Sequence, residues 1–166
     1  MNAILLAGGE SSRYGSNKAF IEINNQLMVE KILKKLNLHF DKVYLVVQNK
    51  EDYDFLYNTV IVEDIIPGMG PLGGLYTGLK LSDSNKNYLS ACDMPFLVDD
   101  YINYLKNYSE DYDILVAQKN SYVEPFAAIY KKSALNAVKF SIEKGNLKIT
   151  DFYDYVNVKS RMILSY

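Results

Sequence analysis

The chain has 166 residues, 49% hydrophobic and 23% charged, which suits one globular domain with a proper core. A net charge of -2, with lysine and arginine dispersed along the chain, offers no basic field for a polynucleotide. A single cysteine, Cys92, excludes an internal disulfide and a cysteine-rich metal site, and with no charged leader and no apolar run of about 18 residues it gives the expectation of a cytoplasmic protein without a membrane span.

Ala3 to Leu6 is a short apolar run stopped by Gly8 and Gly9, the pattern of a buried strand entering a loop. The loop carries glycines, which let backbone N–H groups approach an anion, together with Ser11, Ser12, Arg13 and Lys18. By residue type it is either a phosphate cradle or a glycine turn with exposed charges, and it matches neither the Walker A pattern nor Gly-x-Gly-x-x-Gly. Phe20 to Ile23 alternates and Asn24-Asn25 punctuates it, so a short extended piece and a turn follow. Val29, Ile32, Leu33 and Leu36 then mark one face of a helix. Val43 to Val47 is a second buried strand. Beyond the polar residues 48–52, Tyr53, Phe55, Leu56 and Tyr57 suggest a short helix.

Val60 to Val62 is a third strand, ending at Glu63 and Asp64. The glycine- and proline-rich run from Pro67 to Gly74 leads into a helix with apolar positions Leu72, Leu75, Tyr76 and Leu79, whose N-terminus is expected to face whatever the first loop holds. Tyr88 to Ala91 is a fourth strand leading to Cys92, Asp93, Met94 and Pro95. Asp99 to Leu105 reads as a helix, with Tyr101, Tyr104, Tyr108 and Tyr112 as its face and exit, and Ile114 to Ala117 as a fifth strand. Pro125 to Tyr130 is extended. Ser133 is expected to cap a helix that runs to about Glu143 and stops at Gly145, with Val156 to Val158 and Met162 to Leu164 as two further strands. Strands alternating with helices predict a three-layer α/β domain with a mainly parallel sheet.

In such sheets ligands bind at the carboxyl ends of the strands. The first loop, Glu63-Asp64 and Asp93 all fall there. Asp93 either holds a divalent ion that bridges phosphate oxygens, since Mg²⁺ needs only one or two protein carboxylates, or caps the turn after its strand. Asp64 carries the same alternatives, with Glu63 as a competitor for the inward position. His39 among Leu38 and Phe40 reads as structural and Cys92 as a small buried hydrophobe. One histidine so placed cannot assemble a serine or cysteine nucleophile with its base.

Residues 6–18 (Leu-Ala-Gly-Gly-Glu-Ser-Ser-Arg-Tyr-Gly-Ser-Asn-Lys) resemble the signature loop of the MobA-like nucleotidyltransferases, Leu-Ala-Gly-Gly-x-Ser-x-Arg-Met-Gly-x-x-Lys. Val62-Glu-Asp64, Gly70-Pro-Leu-Gly-Gly74 and Cys92-Asp-Met-Pro95 follow in the family's order and spacing, so that the resemblance covers residues 1 to about 130. It implies a single Rossmann-like domain over 1–166 that transfers GMP from GTP to the terminal phosphate of molybdopterin, with Mg²⁺ as cofactor. It also implies that Leu6, Ala7, Gly8, Gly9, Lys18, Asn49, Asp64 and Asp93 bind GTP, that Arg13, Lys18 and Asp93 carry the chemistry, and that Asp93 is the metal ligand. Three features depart from the family: Tyr14 replaces its methionine, Asn49 is only a candidate for its nucleotide-contacting asparagines, and the sequence ends at Ser165-Tyr166 without its Asn-x-Asn-Thr-Pro-type segment. That last departure carries two alternative expectations, a truncated version of the family's chain or an incomplete pterin site. A cytidylyl- or uridylyltransferase, with a pterin, alcohol phosphate or sugar phosphate as acceptor, and a nucleotide-binding protein without turnover are the alternative readings.

Overall fold

A computed structural model describes residues 1–7, 17–94 and 98–162. Strand β1 (Asn2–Leu6) lies near the middle of a seven-stranded sheet, flanked by β4 (Val43–Val47) and then β5 (Val60–Glu63) on one side, and by β6 (Lys86–Ala91) on the other. These four strands are parallel. Beyond β6 come β8 (Tyr122–Lys131), β7 (Ile114–Lys119) and β9 (Val158–Met162). β8 is antiparallel to both of its neighbours, whereas β7 and β9 pair in parallel. The expected mainly parallel sheet is present, with one reversed strand inside it.

Alternation along β1 sorts the core into two layers, because successive strand side chains point to opposite faces. Ala3, Leu5 and Ala7 join Val29, Ile32, Leu33 and Leu36 of helix α1 (Met28–His39) and Ile102 and Leu105 of α3 (Asp99–Lys106). Ile4 and Leu6 join Leu72, Leu75 and Leu79 of α2 (Gly70–Leu81) and Val138 of α4 (Leu135–Glu143) on the other face. This is the three-layer α/β arrangement that the alternation predicted.

Helix α2 packs directly on β1 through Gly74 and Gly78. A Cβ on Gly78 would stand 2.5 Å from Ile4 Cγ2, and one on Gly74 2.9 Å from Leu6 Cδ2. The strand side chains therefore fill the space that larger helix residues would need, and the first turn of α2 is brought down to the carboxyl ends of the strands.

The amino ends of the same strands are closed by polar groups that satisfy one another. Asn2 donates to Ser82 Oγ (3.0 Å) and Asp83 Oδ1 (2.8 Å), Ser82 donates to Asn87 Oδ1, Asn87 donates to Ser84 O (2.9 Å), and Lys42 pairs with Asp83. Asn2, Ser82 and Asn87 are buried.

Several local expectations need correction. Phe20 ends a 3₁₀ turn (Lys18–Phe20) and is not part of the extended piece, whereas the turn at Asn24 and Asn25 is where it was expected, between β2 (Glu22–Ile23) and β3 (Gln26–Leu27), with φ 54° and 60°, two consecutive positive values as a type I′ hairpin requires. The short helix after β4 is a 3₁₀ turn at Lys50–Tyr53 that ends before Phe55; its start is set by Asn49, whose Oδ1 accepts from Glu51 N (3.2 Å). Ser133 does not cap α4; its hydroxyl donates to Asp113, and a 3₁₀ turn at Lys132–Ala134 leads into the helix. The two strands expected near the C-terminus are one, β9, starting at Val158; residues 163–164 lie outside the described part. Gly145, at φ 76°, does end α4 as expected. Tyr101 and Tyr104 lie on α3, while Tyr108 and Tyr112 continue the ring series beyond it, with centroids 6.5 Å apart for Tyr104–Tyr108 and 5.8 Å for Tyr108–Tyr112.

Candidate active site

The backbone ladder brings four strand ends to one rim. Cys92 N–H donates to Leu6 O (3.1 Å), Ala7 N–H to Val46 O (3.0 Å) and Asp64 N–H to Val47 O (2.8 Å), so Leu6, Ala7, Asp64 and Asp93 emerge side by side. The Leu6 and Ala7 side chains are buried in opposite core layers, and Leu6 O, Ala7 N–H and Ala7 O are already hydrogen-bonded within the protein. Gly8, Gly9 and Arg13 lie outside the described residues.

Lys18 opens a 3₁₀ turn, Lys18–Phe20, capped by Asn17, whose Oδ1 accepts from Ala19 N (3.0 Å). From there Lys18 Nζ reaches Asp93 Oδ2 at 3.3 Å. Both side chains are about half exposed, at 54% and 53%, so the pair adds little to stability and either member can be drawn to an incoming charge. The turn after β6 closes through Met94 N–H donating to Ala91 O (3.1 Å). Among the described residues no backbone N–H donates to the Asp93 carboxylate. Among the described residues its hydrogen-bond partner is Lys18, 75 positions away in the chain; residues 95–97, which follow it, lie outside the described part.

Asp64 is the inward member of its pair. Its Oδ1 accepts from Ile66 N (3.1 Å) and from the hydroxyl of buried Thr77 (2.7 Å), which in turn accepts from Ile65 N (3.1 Å). Its Oδ2 accepts no hydrogen bond among the described residues and faces Gly73 in the first turn of α2, where a Cβ would come within 3.3 Å. Glu63 turns the other way and accepts from Lys50 N (3.1 Å). Asn49, at the carboxyl end of β4, is exposed and is used as the cap of the following 3₁₀ turn.

Two residues escape the sequence reading here. Tyr53 was read only as part of an apolar helix face, yet its buried hydroxyl donates to Ala7 O (3.2 Å) and accepts from Asn17 Nδ2 (2.8 Å). Burial pushes its phenol up to about 12, so it remains protonated at neutral pH. Thr77, a hydroxyl inside an otherwise apolar stretch of α2, was the only sequence signal for the support behind Asp64.

The donor set bears on which metal the rim can hold. Among the described residues no three His, Cys, Asp or Glu side chains cluster to form a closed metal cage. A lone half-exposed carboxylate such as Asp93 suits Mg²⁺, which takes most of its ligands from water and phosphates. Cys92 is unsuited to metal or nucleophile chemistry because burial pushes its thiol up to about 12. His39 is engaged elsewhere, 2.7 Å from Asp99 Oδ1, where it ties α1 to the start of α3.

Residues 3–155 match the MobA-like NTP transferase domain. The chain belongs to that family. A probable molybdenum cofactor guanylyltransferase of Carboxydothermus hydrogenoformans is 36% identical over 159 residues, spanning 96% of this chain and 80% of the relative. The molybdenum cofactor guanylyltransferase of Desulfosudis oleivorans is 30% identical, with 96% and 80% covered. Among solved structures, the molybdopterin-guanine dinucleotide biosynthesis protein A of Archaeoglobus fulgidus superposes with a TM-score of 0.83 at 25% identity, covering 98% of this chain and 83% of that one. The MobA-like resemblance read from the four motifs therefore holds across nearly the whole chain, beyond the 130 residues that carried it. No helix among the described residues is long and apolar enough to cross a membrane.

Proposed function

We propose that this rim binds GTP with Mg²⁺ and transfers GMP to the terminal phosphate of molybdopterin, releasing pyrophosphate. The supporting observation is the meeting of Lys18 and Asp93 on the rim where β1 and β6 end, in a chain of the MobA-like family. Lys18 exchanges Asp93 for the triphosphate and offsets charge that develops on the α-phosphoryl oxygens and the leaving pyrophosphate. Arg13 and the backbone N–H groups of Gly8 and Gly9 add donors to the same phosphates. Mg²⁺ held by Asp93 supplies charge neutralisation to the phosphate oxygens. Asp64, oriented by Thr77, keeps one carboxylate oxygen for the nucleoside, and Asn49 contributes its amide at the neighbouring strand end.

The acceptor is a phosphate monoester whose second pKa is near 6, so it is already largely ionised at neutral pH and the site needs no protein base. The bond formed joins an acceptor oxygen to the α-phosphorus; the bond broken releases the β- and γ-phosphates together. The single cysteine supports a reducing, cytoplasmic setting as part of this reading.

The test is incubation of purified protein with Mg²⁺, molybdopterin and each of GTP, CTP, UTP and ATP, with detection of dinucleotide and pyrophosphate. The expected result is a guanine dinucleotide formed from GTP. Preference for CTP would sink the guanylyl assignment, and GTP binding without product would leave a nucleotide-binding protein.

A further inference from the structure

The hydroxyl of Tyr53 is engaged twice, and its partners lie near the two ends of the loop signature, residues 6–18. It donates its one proton to Ala7 O, at the end of β1, and accepts from the Asn17 amide, ten residues further along the chain. Tyr53 is 2% exposed, and its ring lies 5.0 Å from that of Phe20, at the end of the turn that Lys18 opens. Asn17 is fixed from both ends of its side chain: Oδ1 caps the turn at Ala19 N, and Nδ2 bonds to Tyr53. The next residue is Lys18, whose ammonium meets Asp93 across the rim. Tyr53 therefore joins β1 and the lysine-bearing turn through one buried oxygen.

We propose that Tyr53, acting through Asn17, is a positioning residue that sets the reach of Lys18 to a bound triphosphate. The tyrosine touches neither the lysine ammonium nor Asp93; it fixes the backbone from which the lysine extends. A tyrosine in a hydrophobic cluster needs no such pair of bonds for packing alone, and phenylalanine would fill the same space. The hydroxyl is thus separable from the ring. This inference rests on the nucleotide reading of the rim but not on which base is bound.

The experiment measures equilibrium binding of Mg·GTP, and of Mg·CTP, Mg·UTP and Mg·ATP in the same format, to wild type, Tyr53→Phe, Lys18→Ala and the double variant, with thermal unfolding of each. Loss of the hydroxyl is expected to weaken binding of the preferred nucleotide about five- to tenfold, the worth of one to two hydrogen bonds. In the Lys18→Ala background the same change is expected to have little effect, because a residue acting through lysine has nothing left to position. A purely structural role would instead give equal losses in both backgrounds, tracking the change in unfolding temperature, and would overturn the proposal. Asn17→Ser keeps an oxygen that can cap Ala19, adds no charge beside the triphosphate and removes the amide donor, and is expected to reproduce the Tyr53→Phe defect; unaltered binding in this variant likewise overturns the proposal. If the wild type binds none of the four nucleotides, the nucleotide reading itself falls and this inference with it. Full binding by Tyr53→Phe leaves that reading standing and removes only the positioning role.

Discussion

The two ends of the parallel strands are built on opposite rules. At the amino end, Asn2, Ser82, Asn87, Asp83 and Lys42 hydrogen-bond to one another and three of them are buried, so the polar capacity is consumed internally. At the carboxyl end, Lys18 and Asp93 form a half-exposed pair, and Asp64 commits one oxygen to Thr77 while the other takes no partner among the described residues. One end uses polar groups to finish the fold; the other holds polar groups in reserve for a ligand. Substitutions at the two ends should therefore separate stability from activity.

The sharpest separation is expected at Asp93. Asp93→Ala should lower kcat/KM for nucleotidyl transfer by about 10²–10³-fold, as removal of one charge-stabilising group does, while the unfolding temperature shifts by less than about 2 °C because the side chain is half exposed. Undiminished turnover would show that the carboxylate is not part of the site. The inverse pattern is expected at the amino end. Asn87→Ala strands the Ser82 hydroxyl and Ser84 carbonyl and should destabilise the fold by about 2 kcal/mol in urea titration, with turnover per folded molecule unchanged.

Thr77 crosses the divide, since its buried hydroxyl both satisfies Ile65 N–H and orients Asp64. Thr77→Val is expected to cost about 1 kcal/mol of stability and to raise KM for GTP roughly threefold; a KM that stays fixed would remove Asp64 from the nucleotide contacts. The smallest effect concerns pH. The hydrogen bond from Lys42, followed by that from Asn2, holds Asp83 at about 2, below its ordinary 3.8. A depressed carboxylate stabilises the fold above its unfolded value and loses that contribution as it is protonated. The urea midpoint should therefore fall between pH 4 and pH 2, and less steeply in Asp83→Asn.

Much of the frame was legible because it rests on local patterns. The buried runs in β1, β4, β6 and β7 and the apolar spacing of α1 and α2 report directly on burial. The direction of β8 was not legible, since its place between β6 and β7 is a property of the whole sheet, and Pro125 at a register shift disguised a ten-residue strand as a shorter one. The rim was legible through Lys18 and Asp93, whose meeting follows from strand order. Tyr53 and Thr77 escaped because their roles depend on where one hydroxyl points, and an apolar periodicity counts a tyrosine or threonine by its bulk.

The pairing of β9 with β7 also has a consequence during synthesis. β7 ends at Lys119, but its outer partner begins only at Val158, about 40 residues later. At roughly 5–20 residues per second, the ribosome leaves that β7 edge unpaired for about 2–8 s. A bare strand edge is a template for intermolecular pairing, so the vulnerable interval for aggregation of the nascent chain lies between these two strands. Slow codons between residues 120 and 157 would lengthen it.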